Sequence, residues 1–99
     1  MKEDKTIKSM NIDSYPHKCK ICGLGNIESE YSICMFCGWE DDNLQNEQVD
    51  YMGGANHMSF NQYKEFWEKN KNKILNTDNT CFKAIDLANK YYDKNYKPN

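Results

Sequence analysis

The chain predicts a small α+β fold, in which a ribbon-like four-cysteine module with a short β-hairpin is followed by two α-helices. Three observations carry this. Cys19-Lys20-Ile21-Cys22-Gly23 and Cys34-Met35-Phe36-Cys37-Gly38 are two Cys-x-x-Cys-Gly motifs. Phe60, Tyr63, Phe66, Trp67 and Ile74 recur at helical spacing behind Ser59. Cys81, Ala84, Ile85, Ala88, Tyr91 and Tyr92 form a second stripe of the same period.

Taken in order, residues 1–14 are polar and aperiodic and read as a flexible N-terminal arm. Residues 15–99 read as one domain, with 15–58 as cysteine module and acidic loop. Tyr15-Pro16 is an extended entry, because the residue before proline avoids the helical region. The stretch 24–33 between the cysteine pairs has hairpin chemistry: Gly25-Asn26 and Ser29 for the turn, Tyr31 and Ile33 alternating around Ser32. Residues 39–58 predict a polar loop, long enough without regular structure to suggest a functional or Ω-type excursion. Ser59-Phe60-Asn61-Gln62 is a capping box that starts a helix over 59–75. Asn76 to Asn79 breaks the pattern, and Asp78 or Thr80 is positioned to cap a second helix over 79–94.

The cysteine spacing has a mechanism. Two intervening residues fold the backbone into a knuckle with both sulfurs facing one point, and the following glycine can take a positive φ. Two knuckles make a tetrahedral Cys₄ site of the zinc-ribbon kind, so Cys19, Cys22, Cys34 and Cys37 are the expected ligands of one structural Zn²⁺. Four buried free thiols and an iron–sulfur cluster are the alternatives. A redox dithiol is open to either pair alone, though not to both pairs on one ion. A Cys₄ shell has no position left for water, which argues for structure over metal catalysis. His17 is a spare candidate ligand.

The chain has 99 residues and can build only a limited core, so metal-borrowed stability is expected. Its five cysteines are an odd number for a disulfide framework. The first residues have no apolar stretch behind them, and no apolar run reaches membrane-spanning length. A reducing, cytoplasmic setting is the expectation, with no membrane partner.

All 13 basic residues are lysines, and they are unevenly placed. Residues 21–60 hold Glu28, Glu30, Glu40, Asp41, Asp42, Glu47 and Asp50 and no lysine. Residues 61–99 hold eight lysines against five acids. Phosphate contacts need clustered cations, and arginine, the common base reader, is absent. A nucleic-acid-binding ribbon is therefore disfavoured, and a basic protein is the better-matched partner.

These motifs resemble those of the bacterial cysteine-rich CPCC domain family. The likeness begins at Tyr15-Pro16, continues through Cys19 to Gly23, and is clearest in Ile33-Cys34-Met35-Phe36-Cys37-Gly38-Trp39-Glu40-Asp41-Asp42. It resumes at Gly53-Gly54-Ala55-Asn56-His57-Met58-Ser59-Phe60 and covers residues 15–67. The name motif's third cysteine falls where this chain has Ile21, and its proline where this chain has Lys20. The resemblance implies zinc binding and the small fold, without implying an activity.

Other residues carry two readings each. Trp39 reads as core beside the metal module. Glu40, Asp41 and Asp42, reinforced by Glu47 and Asp50, read as a display for a basic partner or as a solvated turn. His57 reads as a loop histidine or as a general base oriented by Asp41 or Asp42, the basis of an enzyme alternative. No nucleophile is identifiable beside it, so no catalytic residue is assigned. Cys81 reads as a buried, inert thiol. The function expected is a zinc-stabilised protein-interaction module, of which an immunity or inhibitor protein against a basic toxin is one form.

Overall fold

In the computed structural model, which describes residues 15–98, strand β1 (His17–Lys18) pairs antiparallel with β2 (Asn26–Ile27). His17 stands opposite Ile27 and Lys18 opposite Asn26. The arm expected at 1–14 lies outside the described residues. The hairpin thus closes around the first knuckle, not between the cysteine pairs as 24–33 suggested. Each knuckle reverses the chain, so the strand segments flank it. Gly25 is no turn tip: its carbonyl accepts the Cys19 N–H at 2.8 Å. The turn falls at 29–32, where the Ser32 N–H reaches the Ser29 carbonyl at 3.1 Å. Tyr31 takes φ 70° there. Ile33 bridges to Glu40 across the second knuckle.

The acidic connection is more ordered than its composition predicts. A five-residue helix, α1 (Asn43–Glu47), begins at Asp42, whose Oδ1 accepts from the Leu44 and Gln45 amides at 2.9 and 3.2 Å. One short turn shows no periodicity, so only the Asp cap could have signalled it.

Helix α2 (Phe60–Leu75) starts where the capping box predicts. The Gln62 amide donates to Ser59 Oγ at 3.1 Å, and Gln62 Oε1 accepts the Ser59 N–H at 3.0 Å. Ser59→Ala should therefore cost about 1 kcal/mol, or roughly 4–8 °C of melting temperature. An unchanged thermal midpoint would show the cap to be inert.

Helix α3 (Thr80–Asn95) follows, one residue later than expected. Its N-cap is Asn79, without a side-chain bond. Neither Asp78 nor Thr80 caps it, because the Thr80 hydroxyl donates instead to the Met35 carbonyl at 2.5 Å. That bond ties α3 to the second knuckle.

The two helices pack unequally. Helix α2 buries Tyr63, Phe66, Trp67 and Ile74, whereas α3 buries only Ala84 and Ala88. Small residues on α3 let it approach the large side chains of α2 closely. Trp39, fully buried, meets Phe60 at 5.8 Å and Tyr63 at 5.1 Å edge-on, and Phe66 continues the row to Tyr91 at 5.5 Å. Edge-to-face pairs add to simple burial, so this row joins the cysteine module to the helices. The cysteines and the helix side chains belong to one buried cluster.

Candidate metal centre

The two knuckles repeat one local design. In each, the N–H of the closing glycine donates to the first cysteine's carbonyl, Gly23 to Cys19 at 2.9 Å and Gly38 to Cys34 at 3.0 Å. Both glycines have positive φ, 75° and 79°, a region that a side chain makes costly. Backbone amides also point at sulfur: Leu24 N to Cys22 Sγ and Phe36 N to Cys34 Sγ, each 3.4 Å.

Cys19, Cys34 and Cys37 are buried and Cys22 is half-buried, with all four sulfurs within 4.8 Å of one another. The Cys19–Cys37 and Cys22–Cys34 pairs stand at 3.6 Å. Disulfides would require about 2.05 Å. A tetrahedron with metal–sulfur bonds of about 2.3 Å has edges of about 3.8 Å, so the cluster fits a single tetrahedral ion. The four thiols are electrostatically unequal. Hydrogen bonding, from Cys19 first, pulls Cys34 well below the usual thiol range and Cys22 down to about 7. Contacts within the cluster push Cys19 and Cys37 up, led by Cys22 and Cys19 respectively. A bound cation would supply the compensating charge that four thiolates need.

The knuckles are held from outside by the helices. Lys64 Nζ donates to the Ile21 carbonyl at 3.0 Å, and the Tyr63 hydroxyl donates to the Cys37 carbonyl at 2.6 Å. Burial, with Cys37 the next cause, raises the Tyr63 hydroxyl far above its ordinary value, which keeps it a donor. Ile21, between the first two cysteines, is buried core at 2% exposure. A Cβ on Gly25 would lie 2.6 Å from Cys34 Sγ. Gly25→Ala should therefore displace a ligand and weaken metal binding by at least tenfold, while altering no ligand. Competition with a chromophoric chelator measures this, and wild-type affinity would show that the cluster relaxes freely.

The acidic residues divide. Asp41 and Asp42 are buried, at 1% and 5% exposure, which corrects their expected display to a partner. Asp41 accepts from the Tyr15 hydroxyl at 2.7 Å and the Asn46 amide at 2.9 Å, and His17 Nε2 lies 3.6 Å away. Burial first, and then the bond to Asp41, raises the Tyr15 hydroxyl above its ordinary value. Asp42 caps α1 through Oδ1 and takes the Ala55 N–H on Oδ2 at 2.9 Å. Buried carboxylates must be satisfied internally, and these two are spent on the fold. Glu40 is half-buried; Glu47 and Asp50 are exposed. His57 joins neither aspartate, since its ring stacks on Tyr92 at 4.9 Å and 18°. The arrangement expected for a general base is thus not assembled. His17 lies against Asp41, outside the sulfur cluster. Cys81 is half-buried, with burial raising its thiol.

Sequence reasoning missed Gln45 and Asn56. Gln45, wholly buried, donates to the carbonyls of Tyr51, Asn56 and Met58 at 3.0, 3.1 and 3.2 Å. Its Oε1 accepts from Asn56 N and Nδ2 at 3.0 and 2.9 Å. Asn56 also brackets the Glu40 backbone, accepting its N–H at 3.0 Å and donating to its carbonyl at 2.8 Å. Gly54 is required because a Cβ there would meet Asp42 Oδ2 at 2.7 Å. The run Gly53-Gly54-Ala55-Asn56 was the available signal.

A family model described as cysteine-rich CPCC matches residues 17–83. The match spans both knuckles, α1, α2 and the first residues of α3, beyond the 15–67 covered by the motif likeness. No curated protein and no solved structure matches the chain. Among the described residues, no helix is long and apolar enough to cross a membrane.

Proposed function

The chain belongs to the cysteine-rich CPCC family, and from that premise we propose that it is a zinc-stabilised protein-interaction module whose acidic surface receives a basic protein. The four-thiolate tetrahedron suits Zn²⁺. A closed shell suits a structural ion, in a module of the immunity or inhibitor kind acting in a reducing, cytoplasmic compartment.

The observation that carries this reading is the field around Tyr31. Tyr31 is 54% exposed, and its hydroxyl is raised above the ordinary value, first by Glu30, then by Asp42, with Glu40 contributing. An exposed aromatic at φ 70° amid carboxylates has the makings of a contact residue, because strained backbone gathers at functional positions. Glu28, Glu47 and Asp50 add exposed negative charge from the same lysine-free stretch. Nucleic acid is the poorer match, since residues 21–60 offer phosphate no lysine.

The test is binding kinetics with a protein captured from the native host. Glu28→Gln, Glu30→Gln, Glu47→Gln and Asp50→Asn together should slow association about tenfold at low salt, leaving dissociation nearly unchanged. Rising salt should slow the wild type likewise. Wild-type association by the quadruple variant, measured by surface plasmon resonance, would refute the electrostatic reading.

A further inference from the structure

A cleft of about 160 Å³ lies between the 33–40 segment, the loop of Asn56, His57 and Met58, and helix α3. Ile33, Met58, Ile85 and Ala88 supply apolar lining, Glu40 the charge. The stacked pair of His57 and Tyr92 contributes one wall. We propose that this cleft anchors a lysine side chain of the protein partner, with its stem along the apolar lining and its ammonium against Glu40. The inference rests on the proposed interaction function and locates its contact.

Size suits a slender occupant. At about 160 Å³ the cleft is smaller than the roughly 300–1,000 Å³ of ordinary small-molecule sites. A lysine side chain is slender, an unbranched row of four carbons and one nitrogen. The lining is right for such an amphipathic chain, which buries its stem and keeps its head in polar surroundings.

Charge selects the same occupant. The lining contains one carboxylate and no lysine. Glu40 is anchored through its backbone to Asn56 and Ile33. Among the described residues, its carboxylate has no internal hydrogen bond or ion pair, unlike the carboxylates of Asp41 and Asp42. A half-buried carboxylate on an anchored backbone beside an apolar cleft has only its own side chain to order when a cation binds, so less ordering entropy is lost than on a free loop. Ile33 is 46% exposed although it bridges Glu40, and it connects the cleft to the Tyr31 surface. Partner contact at Tyr31 and insertion at the cleft can therefore occur together.

The probe is Nα-acetyl-lysine methylamide, titrated into the metal-loaded full chain and followed by NMR of the Ile85 and Ala88 methyls and the His57 ring. Saturable shifts at these three positions are expected. The uncharged norleucine analogue should bind at least threefold more weakly. Glu40→Gln, which breaks no internal bond, should weaken the lysine derivative about three- to fivefold. Asn89→Lys, at an exposed lining position of α3, should weaken it further by presenting a competing ammonium. No saturable shift, or equal binding of the two analogues, overturns the lysine site. So does unchanged affinity in Glu40→Gln. The quadruple acidic-surface variant leaves Glu40 in place. Loss of its electrostatic effect on association would count against the wider function alone, whereas a silent cleft counts against the anchor alone.

Discussion

Stripping the metal from the four cysteines is expected to unfold the domain, with loss of helical circular dichroism as well as local disorder around the knuckles. Structural zinc contributes roughly 10–16 kcal/mol of apparent binding free energy in zinc-finger peptides. The net stability of a small domain is only about 5–15 kcal/mol. Losing the ion therefore removes stabilisation comparable to or greater than the whole. The helices should not survive alone, because their buried row runs through Trp39, two residues beyond Cys37. Tyr63 and Lys64 on α2, and Thr80 at the start of α3, all bind knuckle carbonyls. Cys34→Ser, at a fully buried ligand, should behave like chelation. The checks are metal content by inductively coupled plasma mass spectrometry and thermal melts before and after chelation. Zinc at one equivalent, with restoration of the melt on its return, is the expected result. A metal-free chain with an unchanged cooperative melt would refute it.

How much of this was legible in the sequence depended on whether a feature was local. The four-cysteine cluster announces itself, because knuckle geometry is encoded in two intervening residues and a glycine. The Ser59 box and both long helices were equally readable, since their signals lie within a turn or repeat over several. Features built by contacts distant in sequence were not. Nothing near Asp41 tells that Tyr15 and His17 will close over it. A run of three acids after Trp39 looks solvated, yet Asp41 and Asp42 are both bonded internally and, of the three, Glu40 keeps the unbonded carboxylate. Gly25 resembles a turn residue until Cys34, nine positions on, is folded against it. The cleft was invisible for the same reason: its walls come from a bridge, a loop and the last helix.

Gln45→Glu should be among the most damaging single changes outside the metal ligands, though it alters neither size nor shape appreciably. The wild-type amide nitrogen has two hydrogens directed at three carbonyls, those of Tyr51, Asn56 and Met58, so one bond is shared. A carboxylate oxygen in that position has no proton to donate and faces three acceptors in a site with no exposure. Unmade buried hydrogen bonds cost about 1–3 kcal/mol each, so a loss of about 3–4 kcal/mol is expected, near the upper end for one substitution. The melting temperature should fall by more than about 12 °C. The damage should concentrate in the 51–58 loop, because Gln45 is its internal scaffold and the cysteine cluster has separate supports in Tyr63, Lys64 and Thr80. Metal stoichiometry should accordingly stay at the wild-type value. Hydrogen exchange should accelerate at Asn56, whose carbonyl loses the Gln45 amide donor and whose side chain positions Glu40. Because Asn56, His57 and Met58 line the cleft, binding of the lysine derivative should be lost in the same variant below its melting temperature. A variant with a wild-type melt and unchanged exchange at Asn56 would show that the loop is held by its capped neighbours, Asp42 and Ser59, and that the Gln45 network is dispensable.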